Sequence, residues 1–269
     1  MKSSDQFLTT GNLAVLVVGD PKTGHTSLGM AFPGLGVLDL DNNLASAVRR
    51  FGPIRPKFKY TQPALLDDGK PRPVGERWVQ VVNETKAMIA DPEVQTILCD
   101  GLGTLSIYLQ DHILKAALDA GTASPKTRTV AFDSTAVDRR VPSMELQHFG
   151  DFARLLRMYV MMVRSSGKYF VMTSHQSGDT DEVTKAIHYV LAIPGQLKDT
   201  LGGLFTDVWA TSVTPYGLGQ HRYEIRTKPT GFHVALGASF PIDSAIDVTN
   251  KTPQEIWGII GPKIAANAK

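Results

Sequence analysis

The sequence predicts an α/β fold in which helices flank a mainly parallel sheet, followed by C-terminal antiparallel strands and a terminal helix. Two patterns support this class. Over residues 13–174, short apolar runs alternate with longer amphipathic segments, which is typical of a parallel sheet with crossover helices. Beyond residue 200, strand-length runs are separated by turn sequences such as Pro215-Tyr216-Gly217-Leu218-Gly219, which indicates antiparallel pairing.

Length and composition fit one large domain of this class. The chain has 269 residues, 42% of them hydrophobic and 20% charged, and its formal net charge is +2. These values disfavour disorder and a polybasic binder of membranes or nucleic acids, so any nucleic-acid contact would be local. No apolar run approaches the roughly 20 residues that a membrane span requires. Cys99 is the only cysteine and no signal-peptide pattern is present, which predicts a cytoplasmic protein without internal disulfides.

The elements follow in order from the same patterns. Strands are predicted where apolar runs are short, and helices where apolar residues recur every three or four positions. The predicted strands are residues 13–18, 36–41, 94–99, 169–174, 207–214, 222–227 and 232–236, and the predicted helices include 44–51, 78–89, a segment that ends near 120, and 149–163. Residues 51–76 carry five prolines and are predicted to form an irregular or hairpin excursion, and residues 121–142 a long basic loop. The sequence Thr252-Pro253-Gln254-Glu255 predicts a capped terminal helix.

A phosphate-binding loop is predicted directly after the first strand. Gly19, Gly24 and Thr26 match the pattern G-x-x-x-x-G-K-[ST], in which backbone N–H groups cradle phosphates and the hydroxyl binds magnesium. A strand-turn-helix that matches the pattern by chance is the alternative. The candidate nucleotide-binding residues are Gly19, Asp20, Pro21, Lys22, Thr23, Gly24, His25, Thr26 and Ser27.

The loop departs from the pattern at one position. His25 stands where the pattern requires Lys, and an imidazole with a reference pKa of about 6.5 is mostly neutral at pH 7. A fixed cation at the phosphates is therefore missing at this position. Lys22, three residues earlier in the same loop, is the hypothetical replacement.

Polar side chains end three other predicted strands. Asp100 follows an apolar run and is a candidate, with Thr26, for holding magnesium. Asp41 is a candidate for orienting or deprotonating an attacking water, or alternatively the N-cap of the helix that begins at Leu44. His175 lies at the carboxyl end of its strand, where open α/β sheets place ligand-sensing groups. These carboxylates and this imidazole are the candidate catalytic residues.

In this order and spacing the motifs resemble those of the phage-type AAA/RecA-like P-loop ATPases, in particular single-strand annealing proteins of the Sak-four type. The resemblance extends from about residue 13 to about residue 239. It rests on Val17-Val18-Gly19-Asp20-Pro21, Gly24 with Thr26-Ser27-Leu28, Phe32-Pro33, Leu38-Asp39-Leu40-Asp41, Ile97-Leu98-Cys99-Asp100-Gly101-Leu102 and Met172-Thr173-Ser174-His175, with later segments such as Leu204-Phe205-Thr206-Asp207-Val208-Trp209.

The resemblance implies a RecA-like nucleotide-binding core over residues 13–240, between an N-terminal extension of residues 1–12 and a C-terminal tail of residues 241–269. It implies binding of ATP and Mg²⁺, self-association as a ring or filament, and action on single-stranded DNA in recombination or annealing with a phage or host replication or recombination partner. By position, Asp100 is the Walker B acid, Asp41 the residue that activates water, and His175 the sensor of the γ-phosphate. His25 and the uncharged stretch of residues 235–239 replace cations of the family, so hydrolysis is expected to be weak or lost.

Local positive charge marks the expected DNA contact, because phosphates give affinity and aromatic faces hold bases. The candidate residues are Lys126, Arg128, Arg139 and Arg140, with Phe132 between them. Solvated loops are the alternative for these residues.

Two other functions stay open on the sequence. One is a catalytically inactive pseudo-ATPase that serves as an oligomeric assembly or adaptor subunit, which His25 favours. The other is a small-molecule P-loop kinase, which is disfavoured because no arginine-rich lid is evident.

Overall fold

The structure is a computed structural model that describes residues 13–52, 56–122, 127–129, 140–142, 144–180, 187–217, 219–230 and 236–267. For residues 127–129, 140–142, 179, 187–188 and 267 it describes the backbone only.

Strands and helices alternate through the first two thirds of the described chain. In chain order the elements are β1 (Ala14–Gly19), α1 (His25–Gly29), β2 (Leu35–Asp39), α2 (Leu44–Phe51), β3 (Phe58–Thr61), α3 (Arg77–Ala90), β4 (Thr96–Asp100), α4 (Leu102–Asp119), β5 (Thr127–Thr129), β6 (Arg140–Pro142), α5 (Leu146–Arg164), β7 (Tyr169–Thr180), β8 (Ile187–Leu191), α6 (Leu197–Thr200), β9 (Asp207–Pro215), β10 (His221–Arg226), β11 (Ala245–Asp247) and α7 (Pro253–Asn267). Short 3-10 turns cover Val74–Glu76 and Leu201–Leu204.

One sheet organises the described residues, with strand order β11-β10-β9-β1-β7-β4-β2-β3 and β8 paired to β7. The six strands from β9 to β3 run parallel to their neighbours, and β10 and β11 add antiparallel to β9. This arrangement, with helices on both faces and a helix at the end, confirms the predicted fold class. The strand β7 lies between β1, which ends at Gly19, and β4, which ends at Asp100.

Two hydrophobic cores sandwich the sheet because the buried side chains of its strands alternate between its faces. On one face the helices α3, α4 and α5 pack against Leu16 and Ile97. On the other, α1, α2 and α7 pack against Val15 and Val37. Every residue of β1 is buried, as expected for a strand covered on both sides. The sheet is therefore rigid below the edge at which its parallel strands end.

Four expectations about the elements were wrong in detail. The strand β7 continues to Thr180, past the predicted end at residue 174, because from Gln176 onward it pairs antiparallel to β8, which was not predicted; His175 therefore lies within the strand and not at its end. The strand β3 lies inside the proline-rich segment 51–76 and pairs parallel to β2, because its four residues fall between the prolines. The strands β5 and β6 form an antiparallel ribbon within the predicted loop 121–142, most of which lies outside the described residues. The strand β9 is antiparallel only to β10, since its other edge pairs parallel to β1.

The end of the chain packs onto the sheet. Thr252 caps α7, where the hydroxyl of Thr252 accepts from the Glu255 N–H at 3.2 Å and the Glu255 carboxylate accepts from the Thr252 N–H at 2.7 Å. This capping box confirms the predicted helix start. The predicted strand 232–236 falls outside the described residues apart from Leu236, and the division at residue 240 stays a prediction. Within the described residues, the helices are all too short or too polar to span a bilayer.

Candidate functional site

The predicted phosphate loop joins the carboxyl end of β1 to α1 by a tight turn. Lys22 and Gly24 both adopt left-handed backbone conformations, with φ of 71° and 98°. The Thr23 N–H donates to the Asp20 carbonyl at 3.2 Å, which closes the first half of the turn. Gly24 suits its position because a left-handed φ strains residues that carry a Cβ. The loop therefore winds back on itself as a phosphate-binding loop requires.

Gly19 brings the start of this loop against β9. A Cβ on Gly19 would lie 2.3 Å from Thr211 Oγ1 and 2.5 Å from Thr23 Oγ1. These two hydroxyls lie 2.7 Å apart and share a hydrogen bond. Only glycine allows this approach, so the loop is fixed to the neighbouring strand by the Thr23–Thr211 contact.

The hydroxyl of Thr26 meets the carboxylate of Asp100 across the sheet edge. Thr26 Oγ1 lies 3.0 and 3.1 Å from the two Asp100 oxygens, and Thr173 Oγ1 donates to Asp100 Oδ1 at 2.6 Å. The Asp100 residue is only 6% exposed. Burial, helped by the nearby carboxylates of Asp41 and Asp39, raises its pKa to about 6, although the hydrogen bonds from the Thr173 and Thr26 hydroxyls act in the opposite direction. A buried carboxylate in this setting favours a cation.

Asp41 and Asp39 have separate roles. The Asp41 carboxylate accepts a short hydrogen bond from the Thr104 hydroxyl, and Gly101, with φ of 111°, leaves it room. Asp39 Oδ1 accepts from the N–H groups at the start of α2, Asn43 at 3.0 Å and Leu44 at 3.2 Å. The N-cap residue of α2 is Asn43, so the alternative role of Asp41 as the N-cap is wrong, and Asp39 is the carboxylate that accepts from the first N–H groups of the helix. Asp41 is left facing the site.

His25 packs against His175 at the position where the sequence pattern expects a lysine. The ring centroids lie 5.0 Å apart with planes at 87°. Both Nδ1 atoms are buried without a hydrogen-bond partner among the described residues. Burial, and then the neighbouring His175, lower the pKa of His25 to about 4, so its ring is neutral at pH 7.

Lys22 and Asp20 lie on the open side of the loop. The Lys22 side chain is exposed and forms no ion pair with the described acidic residues. Asp20 Oδ1 accepts from Gln176 Nε2 at 3.2 Å, which links the loop to the residue after His175. Lys22 is therefore free to move toward a bound phosphate, although no contact places it there.

The candidate catalytic residues and the loop thus gather at one edge of the sheet. Register explains why, since Gly19 pairs with His175 and Asp39 pairs with Asp100. Sequence reasoning gave no role to Thr173 or Thr104, because each acts on a residue more than 60 positions away. Thr173 lies within the quoted motif that ends at His175, but the motif does not show that its hydroxyl reaches Asp100.

Solved structures that resemble this chain include one distant neighbour. Neither a protein-family model nor a curated protein sequence matches this chain. Among solved structures, the chain is similar to a KaiC-like protein from the hyperthermophilic archaeon Pyrococcus horikoshii OT3. The identity is 11%, the match covers 80% of this chain and 78% of that chain, and the TM-score is 0.39.

The residues of the site fit a magnesium ion that is held jointly with a nucleotide. Within the described part of the chain, His, Cys, Asp and Glu form no cluster of three that could hold a metal ion by themselves. A hydroxyl and a carboxylate that face each other, as Thr26 and Asp100 do, suit a hard cation that takes its remaining oxygens from phosphates and water. The hydrogen bonds to Asp100 from described residues come from the hydroxyls of Thr26 and Thr173 and not from a charged group. A bound cation would therefore offset the free-energy cost of burying this carboxylate.

The candidate DNA residues are placed only in part. Lys126 and Arg139 lie outside the described residues, as does Phe132. Arg128 and Arg140 lie on the paired strands β5 and β6, where Arg128 is opposite Val141 and Arg140 is opposite Thr129. The backbone therefore puts two of the four predicted positions on one short ribbon.

Proposed function

We propose that this protein is a RecA-like phage protein that binds ATP with Mg²⁺ and acts on single-stranded DNA in recombination or annealing in the host cytoplasm, with weak or lost ATP hydrolysis. The meeting of Thr26 with the buried carboxylate of Asp100 carries the nucleotide part of the proposal. In a strand-turn-helix that matched the pattern by chance, the hydroxyl at the position of Thr26 would not be expected to contact a buried carboxylate.

The proposed roles follow from the places of the side chains. The loop from Gly19 to Ser27 binds phosphates through its N–H groups. Thr26 and Asp100 would hold a magnesium ion, which would neutralise part of the charge of the nucleotide phosphates. Asp41, fixed by Thr104, orients and deprotonates the attacking water. His175, beside the start of the loop, senses the terminal phosphate.

Weak hydrolysis follows from the charge that the loop lacks. Phosphoryl transfer is accelerated chiefly by cations that stabilise charge in the transition state. His25 is neutral and Lys22 lies on the open side of the loop. The site therefore keeps the groups that bind metal and orient water, and lacks the fixed cation beside them.

The DNA part rests on the resemblance and on local positive charge. A protein of net charge +2 can bind a polyanion only through a local cluster. The positions of Arg128 and Arg140 on the paired strands β5 and β6 support such a cluster. Self-association as a ring or filament would repeat this ribbon along a strand of DNA.

The alternative is a pseudo-ATPase that serves as an assembly or adaptor subunit. The contact between His25 and His175 favours it, because two half-buried imidazoles, each with a buried Nδ1 atom, occupy the position from which a lysine would reach the phosphates. In that case oligomers form without nucleotide.

One experiment separates these functions. ATP binding, ATP hydrolysis and sedimentation are measured for the full chain with Mg²⁺, with and without a single-stranded oligonucleotide, for wild type and Lys22→Ala. We expect magnesium-dependent ATP binding and nucleotide-dependent assembly on the oligonucleotide, with hydrolysis that Lys22→Ala lowers further. DNA binding without any nucleotide affinity contradicts the nucleotide site. Oligomers that ignore ATP support the adaptor, and phosphate transfer to a metabolite would support a kinase.

A further inference from the structure

A second basic side chain, that of Arg50, lies against the phosphate loop at Gly24. Arg50 belongs to the last turn of α2, and its Nη1 lies 3.5 Å from the point that a Cβ on Gly24 would occupy. Its guanidinium carbon lies 4.3 Å from the centre of the Tyr223 ring, a cation–π contact that holds the side chain in place. Arg50 thus stands within a few ångströms of the loop backbone.

The charge of Arg50 is not neutralised within the protein as described. Among the described residues no carboxylate lies within ion-pair distance of it, whereas Arg222 and Arg226, on the adjacent strand β10, both pair with Glu224. A second cation, Lys251, lines the same small cavity as Arg50 and Tyr223. Two positive side chains therefore flank one side of the loop without an acidic partner in contact.

The loop presents two different sides to its surroundings. Thr26 faces Asp100, so the metal and the terminal phosphates belong on that side. Gly24 and Ser27 line the same small cavity as Arg50. A phosphate bound to the loop backbone near Gly24 would therefore lie within reach of the Arg50 guanidinium, whose Nη1 is 3.5 Å from the position of a Cβ on Gly24.

We infer that Arg50, seated on Tyr223, supplies the phosphate loop with the binding charge that His25 does not, acting on the phosphates farther from the metal. This inference rests on the proposed nucleotide site. Since these phosphates are present in ATP and ADP alike, Arg50 contributes equally to the binding of both. It lies away from the terminal phosphate, so it supports binding without restoring fast hydrolysis.

The test compares four forms of the full chain: wild type, Arg50→Gln, Arg50→Lys and Arg49→Gln. Arg49 is the matched control, because it is exposed on the same last turn of α2 and its replacement removes the same charge from the same helix end. Dissociation constants are measured with Mg²⁺ for ATP, ADP and inorganic tripolyphosphate, which has neither sugar nor base. Melting temperatures establish that every variant is folded.

We expect Arg50→Gln to weaken all three probes by about tenfold, the scale of one lost charge-assisted contact to phosphate. Arg50→Lys should stay within about threefold of wild type, since it keeps the charge, and Arg49→Gln within twofold.

Three results would overturn the inference while the wild type binds nucleotide. Equal dissociation constants for Arg50→Gln and Arg49→Gln would show that Arg50 makes no specific contact with the phosphates. Loss for ATP and ADP but not for tripolyphosphate would assign Arg50 to the sugar or base. Equal loss in Arg50→Lys and Arg50→Gln would assign the effect to guanidinium shape. A wild type that binds none of the three probes would instead contradict the proposed function itself.

Discussion

The imidazole of His25 meets the imidazole of His175 edge to face, with centroids 5.0 Å apart. Burial and the second ring keep the pKa of His25 near 4, so the loop carries a neutral ring at neutral pH where phosphate loops of this pattern carry an ammonium. Because His175 belongs to β7, the contact also joins the loop to this strand. The backbone of His175 in addition pairs with Gly19 at the start of the loop.

Restoring the lysine should raise nucleotide affinity and turnover. In His25→Lys the ammonium can reach the terminal phosphates, and we expect ATP to bind about tenfold more tightly and to be hydrolysed faster. Calorimetry gives the affinity and phosphate release gives the turnover. The control is His175→Gln, which breaks the same ring contact without adding charge and should not raise either quantity. Tighter binding with unchanged turnover would count against the roles given to Asp41 and Asp100.

Replacing Asp100 by Asn should stabilise the metal-free protein at neutral pH. The pKa of Asp100 is raised from 3.8 to about 6, so the folded state binds the proton more tightly and stability falls as pH rises through this window. We expect Asp100→Asn to gain up to about 3 kcal/mol over wild type above pH 6, with the gain shrinking toward pH 4. The amide can still accept from Thr173 and donate to Thr26. Denaturant unfolding in EDTA at several pH values measures the difference in free energy of unfolding between the variant and wild type.

The control for this pH dependence is Asp68→Asn. Asp68 is exposed, and its hydrogen bonds from Lys70 lower its pKa, which is the opposite shift. Its replacement should bring no gain at neutral pH. An Asp100→Asn gain that does not change with pH would contradict a charge penalty at this carboxylate.

Replacing Asp41 should affect turnover and leave binding intact. Because Asp41 faces the site and contacts Thr104, we expect Asp41→Asn in the His25→Lys background to lower turnover about 100-fold, with ATP affinity changed less than twofold. Asp39→Asn is the structural counterpart, since it weakens the cap of α2 and should cost about 1 kcal/mol of stability instead. Undiminished turnover in Asp41→Asn would remove it from the mechanism.

The close approach at Gly19 gives a test of the loop geometry. A methyl group in Gly19→Ala would press on the hydroxyls of Thr211 and Thr23, so we expect a loss of about 1–3 kcal/mol and of nucleotide binding. Gly150→Ala is the matched control. Gly150 lies in the interior of α5 with nothing within 4 Å of the added methyl, and the change should stabilise the protein by about 0.5–1 kcal/mol. Thermal unfolding and calorimetry report both.

The sequence predicted the parallel strands β1, β2 and β4 well, because every residue of these strands is buried and each strand is a mostly apolar run. The places of Asp100 and His175 followed directly, since they end such runs. The strand β3 was missed because it is a short edge strand with an exposed Tyr60 and a charged Lys59, which do not mark a buried run.

The partners of the site were less accessible from the sequence. Thr173, Thr104 and Arg50 come to the site from separate elements, and no local pattern distinguishes them from other threonines and arginines. Asp39 and Asp41 are two residues apart and both follow the same apolar run, so only the positions of the N–H groups at the start of α2 decide which one caps the helix.

The strand β7 belongs to two ladders at once. Up to His175 it pairs parallel to β1, and from Gln176 onward it pairs antiparallel to β8, with Gln176 opposite Leu191. A displacement of His175 must therefore disturb amide hydrogen bonds in both ladders. Hydrogen exchange in β8 would thus report events at the loop, although β8 contributes no residue to the candidate site.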